Sequence, residues 1–407
     1  MTAKIEKRYS WDHESGILVS IALAIAGFML EMIKVNPVNG ILRWPDTLIV
    51  GVSLFLLIFL ISIIGYKKNI FNWLRSPSAT FSSILLFTFF AILIGIIPQH
   101  TDTDSALIKG LRLNSILNTW YFMFSTIYLL FILGTVTFYK IMKFKSTKIS
   151  FIINHLGLWF VVLGMSIGSG DRTELFMSVD EEQNFIWYAY DENQEVVEVP
   201  FAIKLNDFKL TEYPPKIALI QNESQKIVGK GINAPQLALR GSVVEFEKYR
   251  LKVLQVLEDV VSVNDTFRKI NMPGAVYACQ IEIHDKISEA HSIEWLTTGN
   301  RTFPAEFKKL DNEHSLVLLN PQVKRYESIV QFHTPDGKQG NSTIEVNKPL
   351  ELNGWKIYQN SYDSNLGKWS PVSTLQLVYD PWKKLVYIGF LMILAGSFLM
   401  IVQRRKN

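Results

Sequence analysis

Cysteine is nearly absent: the 407 residues hold one, Cys279. An intrachain disulfide, a CxxC redox pair and a thiolate metal cluster each need at least two thiols, so all three are excluded. Strong charge of one sign is lacking too. The net charge is +4, and no block of Lys and Arg alternates with aromatics, so the footprint that tracks a phosphate backbone is missing. Nucleic acid is therefore not an expected partner. No GxGxxG, P-loop, GxSxG or HExxH spacing occurs in the polar part of the chain. His284, His291, His314 and His333 are scattered there without metal-ligand spacing, and the acidic stretches Asp180–Glu182 and Asn222–Ser224 read as solvated loops.

Long apolar runs are what the chain does have. Hydrophobic residues make up 48% of it, and they concentrate in residues 1–170 and 380–403, whereas 171–379 carries charges every few positions. A helix needs about 20 apolar residues to cross about 30 Å of hydrocarbon. Six segments meet that length: about Ser15 to Ile33, Thr47 to Gly65, Ala79 to Ile97, Thr119 to Tyr139, Ile149 to Gly168 and Leu385 to Val402. The first is too long, and too poorly followed by small residues, for a cleaved signal, so it is expected to remain in the mature protein. Four basic stretches (Lys4, Lys7 and Arg8; Lys67, Lys68 and Arg75; Lys140, Lys143, Lys145 and Lys148; Arg404, Arg405 and Lys406) fall on one side of such a topology. Lys and Arg accumulate in cytoplasmic loops, which predicts both termini inside and the large polar segment outside, along with Asp102 and Asp104. Trp44, Trp73, Trp120, Tyr121, Tyr139, Trp382 and Tyr387 are expected to form an interfacial aromatic belt.

From Phe201 onward, short alternating runs, Val243 to Leu257 among them, are separated by turn formers such as Tyr213-Pro214-Pro215, Asn320-Pro321 and Asn353-Gly354. Period 2 with that punctuation predicts antiparallel strands in two packed layers and no helix. The expected fold is thus a membrane protein of mixed α and β class, six transmembrane helices with a large all-β, sandwich-like extracytoplasmic domain between helices five and six. Its divisions are 1–74, two N-terminal helices; 75–170, three further helices; 171–382, the β-rich domain; and 383–407, the last helix and a basic tail.

His155 stands out, about seven residues and so about 10 Å inside the fifth helix. An ionisable group at that depth is costly and suggests an ion, proton or cofactor site. A neutral imidazole there can be an axial ligand to haem iron. It can equally make an interhelical hydrogen bond to a Ser or Thr, worth about 1 kcal/mol. His100, beyond Pro98 at the end of the third helix, is a weaker second candidate, and Trp159 could line a cofactor. A transporter coupling protons through His155 is disfavoured, because paired acidic residues and broken helices are not evident.

The order of motifs resembles the ResB family, also called CcsB. It is carried by Gly95-Ile96-Ile97-Pro98-Gln99, Thr119-Trp120-Tyr121-Phe122, Asn154-His155-Leu156-Gly157, Pro200-Phe201-Ala202-Ile203-Lys204-Leu205-Asn206-Asp207-Phe208, Asn347-Lys348-Pro349-Leu350, Gly354-Trp355-Lys356-Ile357-Tyr358-Gln359, Tyr362-Asp363 and Tyr379-Asp380-Pro381. The likeness runs over about residues 75–403, so 1–74 adds two helices to the family's usual four. The resemblance implies a cytochrome c biogenesis subunit of the bacterial inner membrane. Such a subunit works with a CcsA or ResC partner bearing a Trp-rich WWD segment, moves haem b outward as a transient substrate, and helps attach it to CxxCH sites of apocytochrome c. It also implies a thioredoxin-like thiol reductant nearby and no catalytic residue in the β domain, and it makes His155 the position for a haem ligand. No WWD stretch occurs here, so that half belongs to another chain. A non-enzymatic envelope protein whose β domain binds a partner or ligand is the other reading of the residues.

Overall fold

The structure is a computed structural model describing residues 13–33, 42–65, 69–99, 105–143, 149–263, 266–270, 272–300 and 303–404. His100, Asp102 and Asp104 lie outside the described residues. So do Lys4, Lys7, Arg8, Lys67, Lys68, Lys145, Lys148, Arg405 and Lys406. The chain divides into two compact units, Met1–Thr173 with Tyr379–Asn407, and Glu174–Val378.

Among the described residues of the first unit six helices are long and apolar enough to cross a membrane: α1 (His13–Met32), α2 (Asp46–Ile64), α3 (Pro77–Ile96), α4 (Trp120–Met142), α5 (Ile149–Ser166) and α6 (Lys383–Arg404). Local chemistry sets their ends. Ser76 accepts the Ala79 N–H and Pro77 occupies the first turn of α3, while α3 stops just ahead of Pro98. Thr119 accepts the Phe122 N–H at the start of α4. Its 23 residues make α4 about 34 Å long. Packing makes α4 the central helix, with α1, α2, α3 and α5 all against it. Gly27 of α1 is required for one of these contacts, because a Cβ there would collide with the Tyr121 backbone. Phe28 and Phe90 lie on the Tyr121 ring, and Phe55 of α2 meets Phe138 and Trp159 edge-on at 5.1 Å. The two N-terminal helices are thus packed into the bundle.

The expected aromatic belt needs correction at two positions. Tyr121 is fully buried and Trp382 is 2% exposed. Each has its polar atom satisfied inside the protein, Tyr121 Oη on the Leu111 carbonyl and Trp382 Nε1 on Asp171, so neither needs the wet interface.

The second unit is β, and among the described residues it holds two large cores and a small third one at Val260, Val276 and Ala278, instead of the single two-layer packing expected. One sheet has the order β14-β13-β3-β2-β1-β17-β16-β15. Its strands are β1 (Thr173–Asp180), β2 (Ile186–Tyr190), β3 (Val196–Glu212), β13 (Val323–His333), β14 (Gln339–Glu345), β15 (Leu350–Leu352), β16 (Trp355–Tyr362) and β17 (Val372–Tyr379). Alternate residues Leu175, Met177 and Val179, then Phe201, Ile203 and Leu205, then Leu375 and Leu377 point into one core. Because β13 and β14 also touch β16, the sheet curls until its ends meet. The β3–β13 ladder, bulged between Ile329 and Val330, helps it bend.

The second core is a sandwich. One face is the sheet of β11 (Lys308–Lys309), β12 (His314–Leu319), β4 (Lys216–Gln221) and β5 (Gln236–Leu237); the other is that of β10 (His291–Thr297), β9 (Val276–Asp285), β7 (Tyr249–Val263) and β6 (Val243–Glu245), with β8 (Thr266–Lys269) beside β7. Ile217, Leu219, Leu316 and Leu318 meet Leu251, Val253, Cys279, Ile281 and Ile283 between them.

Candidate functional site

His155 sits nearly two turns into α5, its ring stacked on that of Phe151 with centroids 3.6 Å apart. Its Nδ1 lies 3.0 Å from the Phe151 carbonyl oxygen. A carbonyl can only accept, so Nδ1 carries the proton and donates, and Nε2 carries the lone pair. Nε2 has no hydrogen-bond partner among the described residues. The interhelical bond to a Ser or Thr, the other role open to this histidine, is not made among them. Asn154 next door does that work, its Nδ2 donating to the Ile393 carbonyl and to Ser397 Oγ at 2.9 Å.

Why His155 is half-exposed follows from the faces of α5. Asn154 and Gly157 turn to α6: a Cβ at Gly157 would lie 2.6 Å from the Gly389 carbonyl, and one at Gly389 would lie 2.7 Å from that of Gly157. Ser150 Oγ extends the same seam to Gln403. Trp159 and Leu163 turn to the packed interior, with Trp159 Nε1 donating to the Leu130 carbonyl at 3.1 Å. At 100° per residue, His155 falls between that interior line and the outward Leu158 and Met165. Trp159 is therefore close to His155 in sequence but enclosed between helices.

The imidazole suits haem iron as a ligand, since a histidine whose Nδ1–H is tied to a carbonyl presents Nε2 in a fixed direction. The apolar groove of about 430 Å³ between α1 and α3, lined by Ile17, Ala24, Phe28, Leu85 and Phe89 among others, contains no titratable or metal-ligating side chain.

Two polar clusters at helix ends were not foreseen from sequence. Asp171, buried just after α5, accepts the Trp44 N–H at 2.7 Å, the Thr47 hydroxyl, and the Trp382 indole N–H at 2.6 Å. It ties the starts of α2 and α6 to the end of α5. Glu31, buried at the end of α1, pairs with Arg112 and accepts the Trp120 N–H at 3.1 Å. Gln99 accepts the Ile116 N–H at 3.0 Å and donates to the Ile97 and Leu113 carbonyls. Asp171 lies between Gly170 and Arg172 and Glu31 between Leu30 and Met32, so neither carries a local signal for its distant partners.

In the β unit, Ser328, Gln359 and Ser373 form a buried triangle: Ser328 Oγ donates to Gln359 Oε1 at 2.5 Å, and Gln359 Nε2 donates to Ser373 Oγ at 2.9 Å. Lys368 pairs with Asp259 and lies over the Tyr277 and Trp369 rings. Both Gln359 and Lys368 fall in the segment that a comparison with known families picks out.

Residues 297–371 match the ResB-like family.

No curated protein matches the chain. The ResB-like segment starts at the end of β10 and stops just ahead of β17, so it includes Gly354–Gln359 and Tyr362-Asp363, residues that carry the resemblance. Over these residues that resemblance is borne out. The match indicates involvement in cytochrome c biogenesis, and with six long apolar helices the chain is a multi-pass membrane protein of mixed α and β class.

Proposed function

We propose that this chain is the ResB-type half of a system that carries haem across a bacterial inner membrane and delivers it for attachment to CxxCH sites of apocytochrome c. The observation that carries the reading is the 3.0 Å approach of His155 Nδ1 to the Phe151 carbonyl, which engages Nδ1 and leaves Nε2 available to iron on a half-buried flank of α5. The flank is open on one side. A haem ligated there needs a second wall and a second ligand from another chain, and a CcsA or ResC partner with a WWD segment supplies both in this reading.

His155 holds the iron and orients the ring, and its helix gains rigidity from the Asn154 and Gly157 seam with α6. The β unit lies outside the membrane, following the basic stretches that mark the opposite side. It positions the apocytochrome, since holding two thiols beside the haem converts a bimolecular encounter into a local one. Cys279 is buried in the sandwich core, so the electrons that keep those thiols reduced come from a separate thioredoxin-like reductant.

The test is to co-express the chain with a WWD partner, purify the complex and record its visible spectrum with and without His155→Ala. Loss or displacement of the Soret and α bands in the variant is expected. Unchanged bands would remove His155 from haem binding.

A further inference from the structure

The end of α4 lies beside the start of α5, and three cations gather there on aromatic faces. Lys140 Nζ is 5.8 Å from the centre of the Phe151 ring, the same ring on which His155 stacks at 3.6 Å. Lys143 Nζ and Arg75 Cζ lie 4.7 Å and 4.3 Å from the centre of the Tyr139 ring, one residue before Lys140. Arg75 is also held by Asn72 Oδ1 at 2.9 Å. Neither Arg75 nor Lys140 is ion-paired with a carboxylate among the described residues. The helix C-terminus accounts for cations at this end in general. It does not account for one ring, that of Phe151, being approached by both a lysine and the imidazole. A ring face attracts a cation only weakly at an exposed site, so the charge of Lys140 stays available to an anion.

Haem has two carboxylates on one edge and two vinyl groups on the opposite half. An iron ligated by His155 Nε2 can face that carboxylate edge either toward the basic end of α4 or away from it, and burying the carboxylates among apolar side chains without partners is costly. We infer that Lys140, backed by Arg75 and Lys143, receives the haem carboxylates and so fixes the orientation of the ring at His155, with the vinyl edge pointing away from the basic end. This rests on the assignment of His155 as an iron ligand and adds a direction to it. In the topology proposed above the vinyls, which must meet the cysteine thiols, then lead toward the outer face.

Haemin and haemin dimethyl ester, whose carboxylates are masked, distinguish the two claims when titrated into the purified full-length chain with its WWD partner. Binding is read from the Soret band for wild type, His155→Ala, Lys140→Gln and Lys140→Arg. Lys140→Gln is expected to weaken haemin by about twofold to fivefold, as for loss of one partly exposed ion pair, and to leave the ester unchanged. Lys140→Arg should bind haemin as wild type does. If Lys140→Gln binds haemin as wild type does, or weakens haemin and ester equally, while His155→Ala still loses the band, the orientation is wrong and the ligand assignment stands. If His155→Ala leaves the band intact, the ligand assignment fails and takes the orientation with it.

Discussion

The Trp382 indole nitrogen donates to Asp171 Oδ2 at 2.6 Å, across the junction between α5 and α6. The same buried carboxylate accepts from the Trp44 backbone and the Thr47 hydroxyl, so one side chain satisfies three donors from two other segments. Asp171→Ala would orphan all three, and each buried donor without a partner costs about 1–3 kcal/mol. A loss of at least about 2 kcal/mol is expected, read as a lower melting temperature of the detergent-solubilised protein. Asp171→Asn keeps an acceptor oxygen and should fall between the two. Identical melting of Asp171→Ala and wild type would show that the clamp adds nothing.

Gly157 and Gly389 bring α5 and α6 into backbone contact, the kind of close approach that drives helix pairing in lipid. Gly157→Leu forces side-chain atoms into the Gly389 carbonyl and must separate the helices, at a cost of about 1–3 kcal/mol. Cysteines placed at Ser150 and Gln403, whose side chains meet at 2.7 Å, offer a readout of the separation. Their oxidative cross-linking should drop sharply in the Gly157→Leu background. Equal cross-linking would mean the helices accommodate the side chain without moving apart.

Much of this was legible in the sequence because the signals were one-dimensional. The six apolar runs and the alternation of strands such as β9 and β12 depend on period and length, which the sequence prints directly. Partner choice depends on contacts distant in sequence and was not legible. Asp171 carries no local motif, and Trp382, which donates to it, lies 211 positions later. The run from Val243 to Leu257 read as one strand, yet Phe246 N–H bonds to the Tyr249 carbonyl and turns it into the hairpin of β6 and β7. β1 and β2, ahead of Phe201, were missed, although Leu175, Met177 and Val179 alternate as a half-buried strand should. At His155 the sequence located an unusual group but could not give its tautomer, which the Phe151 carbonyl decides.

Gln359 closes the motif Gly354–Gln359, and its environment explains a glutamine there: both ends of its amide are used inside a buried polar triangle with Ser328 and Ser373. Gln359→Leu keeps the volume and leaves the Ser328 and Ser373 hydroxyls bonded only to each other at 2.7 Å with one donor unmet, so a loss of about 1–3 kcal/mol is expected. Restoring apolar complementarity with Ser328→Ala and Ser373→Ala alongside it should recover most of that loss. Denaturant titration of the full chain, following β-sheet circular dichroism, compares the single and triple variants. A triple variant no more stable than Gln359→Leu alone would assign the cost to shape and not to orphaned hydrogen bonds.

Alkaline pH should loosen the sandwich core before neutral pH does. Burial pushes the Cys279 thiol up from its ordinary 9.0 to about 12. Burial first, and the neighbouring Asp311 carboxylate second, push the Tyr249 phenol from 10.0 to about 12. Each proton is held more tightly folded than unfolded. The stability this gives is fully present below the unfolded values and is lost as pH rises from about 9 through about 12. Unfolding midpoints of the full chain should therefore be flat near pH 7 and fall between pH 9 and 12, with a shallower fall in Cys279→Ala. The same burial predicts that a thiol reagent at pH 8 labels Cys279 only after denaturation, since the thiolate is the reactive form. Labelling of the native protein at the rate of a free thiol would contradict the packing described for this core.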